Sequence, residues 1–184
     1  MLTNFTLAKP PERIEVKRIY PHVTQVQKVK VKKNIYTMSV AELNNLSLKK
    51  KAKLLHMNKK TFKTFAALVA RESGPKMNDK ILVAAVVWNR KYSSQFPNKI
   101  KKIMHQKSQF TLRGKKTTKI YGNYKDKKAQ LAILIAYRDI KLGKIPKNVL
   151  YFNSISYRTK NPKRFVKYKH YNNYFIIDKK ESPR

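Results

Sequence analysis

Residues 58–90 read NKKTFKTFAALVARESGPKMNDKILVAAVVWNR, and the reading of this stretch decides the fold. Asn58 is a natural helix cap, and Phe62, Phe65, Ala66 and Val69 then recur at helical spacing on one face. Ser73-Gly74-Pro75 stops that helix, because glycine and proline both end helices. Asn78 offers the next cap. Ile81 to Trp88 is apolar almost all round, as a buried central helix requires. Valine is frequent in this run, so a buried strand is the rival reading. The expectation is an amphipathic helix, a sharp break, and a buried helix.

Upstream, Ser39-Val40-Ala41-Glu42 has capping-box spacing, and Leu43, Leu46, Leu54 and Leu55 are the apolar positions that follow. Ser47 opens a second short helix running to His56. Downstream, Pro97-Asn98 restarts the chain as a short helix, Lys99 to His105. A polar loop with Gly114 and Gly122 suits a hairpin. Asp126 to Leu142 is the next long helix, carrying Leu131, Ile135 and Tyr137, with Gly143 as its stop and Pro146 beyond. Leu150-Tyr151-Phe152 and Tyr174 to Ile177 read as short extended runs. Residues 1–36 are punctuated by prolines 10, 11 and 21, and Val23 to Val31 partly alternates like an edge strand. The fold class is α+β, mainly α, with a small β element behind an extended arm. The expected division is an arm or docking segment at 1–38, a helical lead-in at 39–58, and the main domain at 59–184.

The 184 residues carry 44 Lys plus Arg against 9 Asp plus Glu, a net charge of +35. Such a chain binds polyanions by releasing their counterions. Nucleic acid, teichoic acid, anionic lipid and peptidoglycan stems all qualify; a coding sequence rich in A and T would also enrich lysine. There is no cysteine, which excludes disulfides, thiolate metal sites and a cysteine nucleophile. No stretch approaches the roughly 20 apolar residues of a membrane span. Met1 to Arg13 lacks a signal peptide's apolar run, so another agent is expected to deliver the protein to any target outside the cytoplasm.

The scarcity of acids narrows the chemistry. Between residues 50 and 160 the acids are Glu72, Asp79, Asp126 and Asp139. Asp79 and Asp126 read as helix-start charges, which the macrodipole favours. Asp139 falls late in a helix and is expected beside a lysine. Glu72 ends an amphipathic helix beside a glycine, where a carboxyl can be half-buried at a cleft edge. Desolvation would raise its pKa and keep it protonated near neutral pH, as a general acid needs. The plainer alternative is a surface carboxylate paired with Arg71 or Lys76. Histidines 22, 56, 105 and 170 show no metal-ligand spacing, and no metal or cofactor is expected.

Ala70-Arg71-Glu72-Ser73-Gly74, Val83 to Arg90 (VAAVVWNR), Phe96-Pro97-Asn98, Gln109-Phe110-Thr111 and Asn148 to Asn153 (NVLYFN) occur in that order. Together they resemble the cell-wall hydrolase family of the spore cortex-lytic enzymes. The resemblance runs over about residues 60–177. It implies a lysozyme-like, mainly helical domain that cleaves peptidoglycan between N-acetylmuramic acid and N-acetylglucosamine, often as a lytic transglycosylase. It implies Glu72 as the general acid, with Gln109, Thr111, Tyr151 and Asn153 contacting sugar. Asn89 would support the site, either by orienting Glu72 or by satisfying buried backbone. Arg90 reads as a structural ion-pair partner. The family's closing H-x-F-Y is replaced here by Asn173-Tyr174-Phe175, with His170 three residues early.

Two other readings compete. Residues 39–65 could form a helix-turn-helix, and Tyr157 to Tyr174 interleaves basic and aromatic residues as a nucleic-acid platform does. A degenerate hydrolase domain could instead serve as a structural part of an assembly. A hydrolase of this charge without a signal peptide suggests a phage context. It would be either a virion component docked through its arm to tail proteins, with nonspecific nucleic-acid contact, or a free lysin acting on the host wall.

Overall fold

The computed structural model describes residues 33–106, 110, 122–153 and 161–180, all within one compact unit. The edge strand expected at Val23–Val31, the hairpin expected around Gly114, and both Gln109 and Thr111 lie outside the described residues. Six helices and a three-stranded sheet are found among them. The helices are α1 (Val40–Asn45), α2 (Leu48–Leu54), α3 (Lys59–Glu72), α4 (Met77–Tyr92), α5 (Ile100–Met104) and α6 (Lys127–Lys141). The strands are β1 (Val149–Asn153), β2 (Phe165–His170) and β3 (Tyr174–Asp178), antiparallel in the order β1-β3-β2. This is a mainly helical α+β fold. No described helix is long and apolar enough to cross a membrane.

The caps sit where short polar side chains precede apolar periodicity. Ser39 and Glu42 close a reciprocal capping box, Ser47 accepts from the Lys50 amide, and Asn58 accepts from the Thr61 amide at 2.8 Å. Asp126 accepts from Ala129 at 3.0 Å and also pairs with Lys80 at 3.2 Å. Gly143 stops the chain after α6 at φ 71°, a conformation that disfavours a Cβ.

The run Ile81–Trp88 is helical, and α4 forms the spine of the core. Leu82 to Arg90 is buried without interruption, and the helix packs chiefly on α6 and β1. Trp88 is 1% exposed. Its indole N–H donates to the Ile133 carbonyl at 3.1 Å, and its ring meets Phe65 edge-on and Tyr137 at a tilt. Burying an aromatic of this size with its one polar atom satisfied fixes the α3–α4–α6 packing.

Three expectations are corrected, and one strand was not foreseen. Asn78 is not a cap: α4 begins at Met77, the cap position Lys76 makes no side-chain bond, and the buried Asp79 collects the neighbouring donors instead. The basic, aromatic stretch Tyr157 to Tyr174 contains β2, a partly buried strand that the sequence reading did not expect. Asp139 lies beside Arg138, at 3.5 Å, rather than a lysine. Arg90 has no ion-pair partner among the described carboxylates; its Nε donates to the Leu150 carbonyl at 2.8 Å, and its guanidinium lies over Phe96, Phe110 and Tyr151.

The other end of the spine is anchored by Asn89. Its side-chain amide donates to the Pro146 and Val149 carbonyls at 2.9 and 3.0 Å, fixing the entry to β1. Asn89→Ala removes the side-chain donor to both carbonyls, leaving Pro146 only the Val149 N–H at 3.3 Å, so a loss of about 2 kcal/mol or more is expected. Urea unfolding measures it, and an unchanged midpoint would exclude this anchoring role.

Candidate active site

Glu72 is the last residue of α3, and the helix stops there because Ser73 turns extended and folds back. The Ser73 amide and hydroxyl both donate to the Val69 carbonyl. Lys80 then donates to the Ser73 hydroxyl at 3.2 Å, tying the end of α3 to the start of α4. The Glu72 side chain is 20% exposed and lies 3.3 Å from Arg71 Nε. Burial pushes its pKa up, and the Arg71 guanidinium pulls the other way; the net shift is upward. The ion pair expected under the plainer reading is therefore present, and desolvation still prevails over it.

The backbone around Glu72 is held by Asp79, which is fully buried. Its carboxylate accepts the Gly74 N–H at 2.7 Å, the Asn173 N–H at 3.1 Å and the Asn173 side-chain amide at 3.0 Å. That same side-chain amide donates to the Glu72 carbonyl at 3.0 Å. Residues about a hundred positions apart are thereby clasped: the end of α3, the first turn of α4, and the turn between β2 and β3. Gly74 makes the approach feasible, since a Cβ there would lie 1.7 Å from the Asn172 side-chain nitrogen. Asp79 does begin a helix, as its sequence position suggests, but its lone pairs are engaged by this clasp. It is not available as a second carboxylate across a bound sugar.

The sheet register locates the remaining candidates. Asn153 pairs with Tyr174, the residue after Asn173, so it sits at the sheet end that meets Glu72; its side chain is exposed. The exposed His170 ring stacks on Tyr174 at 3.8 Å and 9° at that same end. Tyr151 pairs with Ile176, two positions further along, where its hydroxyl donates to Gln95 at 3.4 Å. Its ring lies edge-on to Phe165, within the cluster around Arg90. Asn89 is fully buried and bonded to the entry of β1. Gln109 and Thr111 flank Phe110, which is 2% exposed and packs near Phe152 at 6.1 Å.

Sequence reasoning missed Asn173 and the His170–Tyr174 stack. The signal for Asn173 was its position where the resembling family places a histidine. Among the described residues no group of three or more His, Asp or Glu side chains could hold a metal ion.

The model of the cell wall hydrolase family matches residues 74–178, more than half of the chain. No curated protein and no solved structure matches. The matched segment includes Asp79, Asn89, Tyr151, Asn153 and Asn173 and begins two residues after Glu72. Glu72 itself therefore lies outside the match.

Asn173→Ala removes the side-chain donor to both Asp79 and Glu72. It is expected to cost about 1–3 kcal/mol and to speed amide exchange at Gly74 and in the turn 171–173. Protection in α4 and α6 should persist. Unchanged exchange at Gly74 would show that the clasp does not hold the end of α3.

Proposed function

We propose, from the premise that this chain belongs to the cell wall hydrolase family, that it cuts the glycan strand of peptidoglycan between N-acetylmuramic acid and N-acetylglucosamine. Glu72 is the general acid and base of the reaction. The observation that carries this reading is a half-buried carboxyl with a raised pKa, fixed by the Asp79–Asn173 clasp at the edge of the matched domain.

Protonated Glu72 donates to the glycosidic oxygen as the C–O bond breaks and positive charge develops on the ring. The resulting carboxylate then removes a proton from the attacking hydroxyl. A two-carboxylate hydrolase needs its second acid across the scissile bond. Asp79, the nearest acid in sequence, is closed off by three N–H donors. This supports the single-carboxylate route, in which the muramic acid's own C6 hydroxyl attacks and a 1,6-anhydro end forms. Asn153 and the Tyr174–His170 stack lie at the sheet end beside Glu72, suited to hydrogen-bonding and covering a sugar ring. Tyr151, Gln109 and Thr111 extend the proposed sugar-binding surface, with Asn89 and Arg90 supporting it from within.

Digestion of purified peptidoglycan, with products identified by mass spectrometry, tests the reading. Wild type is expected to release muropeptides with anhydro ends, and Glu72→Gln to be slower by about 10²-fold or more. Equal release by both proteins would remove Glu72 from the mechanism, and reducing ends would replace the transglycosylase route with hydrolysis.

The pH profile has a defined sign. The acid form of Glu72 is the active one, so kcat/KM should fall as pH rises through its raised pKa. Arg71 favours the charged form, so Arg71→Gln should move that alkaline limb to higher pH. A limb that stays in place, or moves lower, would mean that Arg71 does not act on the titrating group.

A further inference from the structure

Away from Glu72, a cavity of about 400 Å³ lies between the end of α2, the start of α3, and α4 and α5. Its floor is apolar, made by Leu55, Trp88 and Ile100. Its rim carries Lys91, Lys99, Lys101 and His56. Asn58, Thr61 and Asn98 add amide and hydroxyl groups between the cations. The cavity opens at the first turn of α3 and Glu72 is the last residue of that helix. At 1.5 Å per residue they stand roughly 15–20 Å apart. It is a separate site on the same helix.

Among the described residues no acid lines this cavity. The described acids are engaged elsewhere: Glu42 with Lys33, Glu72 with Arg71, Asp126 with Lys80, Asp139 with Arg138, Asp178 with Arg164, and Asp79 in its clasp. Lys91 is the most buried of the rim cations. Its ammonium lies over the Trp88 and Tyr92 rings, and Lys141 approaches the same Tyr92 ring at 4.7 Å. Burial pulls the Lys91 pKa down, and the like charge of Lys141 pulls it further. A folded domain that holds two ammonium groups against one ring, with no described carboxylate between them, has positive charge that an external anion would neutralise.

We propose that this cavity binds a polyol-phosphate chain, the chemistry of the anionic polymers attached to bacterial cell walls. The lysines would take the phosphodiester oxygens as charge-assisted donors. The amides and the threonine hydroxyl would take the polyol hydroxyls, and the apolar floor would cover the C–H faces. Single-stranded nucleic acid fits less well, because it binds on exposed aromatic platforms. Among the described lining residues the one large aromatic is Trp88, which is 1% exposed and already covered by Phe65 and Tyr137. Duplex DNA presents its phosphates on a stiff convex surface, which does not thread a concave cavity. That such a polymer would share the enzyme's substrate rests on the cell-wall reading above; the binding itself does not. The site would hold the enzyme on its wall while Glu72 works at the other end of α3.

The test uses the full chain carrying Glu72→Gln, so that no wall is cut during binding. Titration calorimetry with a synthetic glycerol-phosphate oligomer is compared across three proteins. These are the Glu72→Gln parent, the parent with Lys91→Gln, Lys99→Gln and Lys101→Gln, and the parent with the exposed Lys125, Lys127 and Lys128 changed to Gln. The two triple variants lose the same charge. The parent should bind, the cavity variant should bind about tenfold more weakly or worse, and the control should stay within about twofold of the parent. Thermal unfolding checks the variants, and the cavity variant should be no less stable, because Lys91→Gln relieves its repulsion with Lys141. Equal weakening in both variants would reduce the effect to net charge and overturn the site. Tighter binding of duplex or single-stranded DNA with the same number of phosphates, lost in the cavity variant, would reassign the cavity to nucleic acid and overturn the proposal. Failure of the digestion experiment strikes the functional reading and leaves this binding result standing; the converse also holds.

Discussion

A carboxylate with no access to solvent must find hydrogen-bond donors within the protein, and Asp79 finds three. Leaving such a group unsatisfied would cost several kcal/mol, so its donors are held in place as firmly as it is. Those donors belong to Gly74 and Asn173. The position of Glu72 follows, because Asn173 also donates to the Glu72 carbonyl. One buried side chain thus fixes where α3 ends, where α4 begins, and where the β2–β3 turn lies against both. The surroundings that raise the Glu72 pKa depend on this arrangement, since a frayed helix end would be hydrated.

The same helix secures the sheet at two places. Asp79 in its first turn holds the β2–β3 turn, while Asn89 and Arg90 near its last turn hold the entry to β1 through the Pro146, Val149 and Leu150 carbonyls. A small sheet of three short strands has little core of its own. Here it gains its rigidity from buried polar groups on α4, with apolar contact from Phe175 and Val149. Placing residues on such a sheet lets exposed side chains such as Asn153 and His170 stay ordered without being buried.

Most of the helical framework was legible because its signals are local. Caps at Ser39, Ser47, Asn58 and Asp126, the break at Ser73-Gly74-Pro75 and the stop at Gly143 each depend on a few neighbouring residues. The strand Phe165–His170 was not legible, because a half-solvated strand rich in lysine has the same composition as a basic tail. Asp79 was placed at a helix start, yet its partner Asn173 is 94 residues away, and no local pattern announces a contact at that separation. Asn78 misled because its side chain resembles a cap while tertiary bonds to Asp79 set the start of the helix. Of the site, the sequence supports a half-buried Glu72 by the rarity of acids around it, and the resemblance supplied its role. The clasp that holds it is a tertiary fact.

The central claim is that the folded protein keeps Glu72 in its acid form at a pH where an ordinary glutamate is ionised. The chain has five glutamates, so carboxyl-labelled glutamate gives five resolvable NMR titrations, with the Glu72 signal assigned by its loss in Glu72→Gln. A midpoint for Glu72 above the ordinary value of about 4.3, moving further up in Arg71→Gln, is the predicted result. A midpoint at or below the ordinary value would mean that the Arg71 ion pair outweighs burial, and Glu72 would lose its standing as the acid.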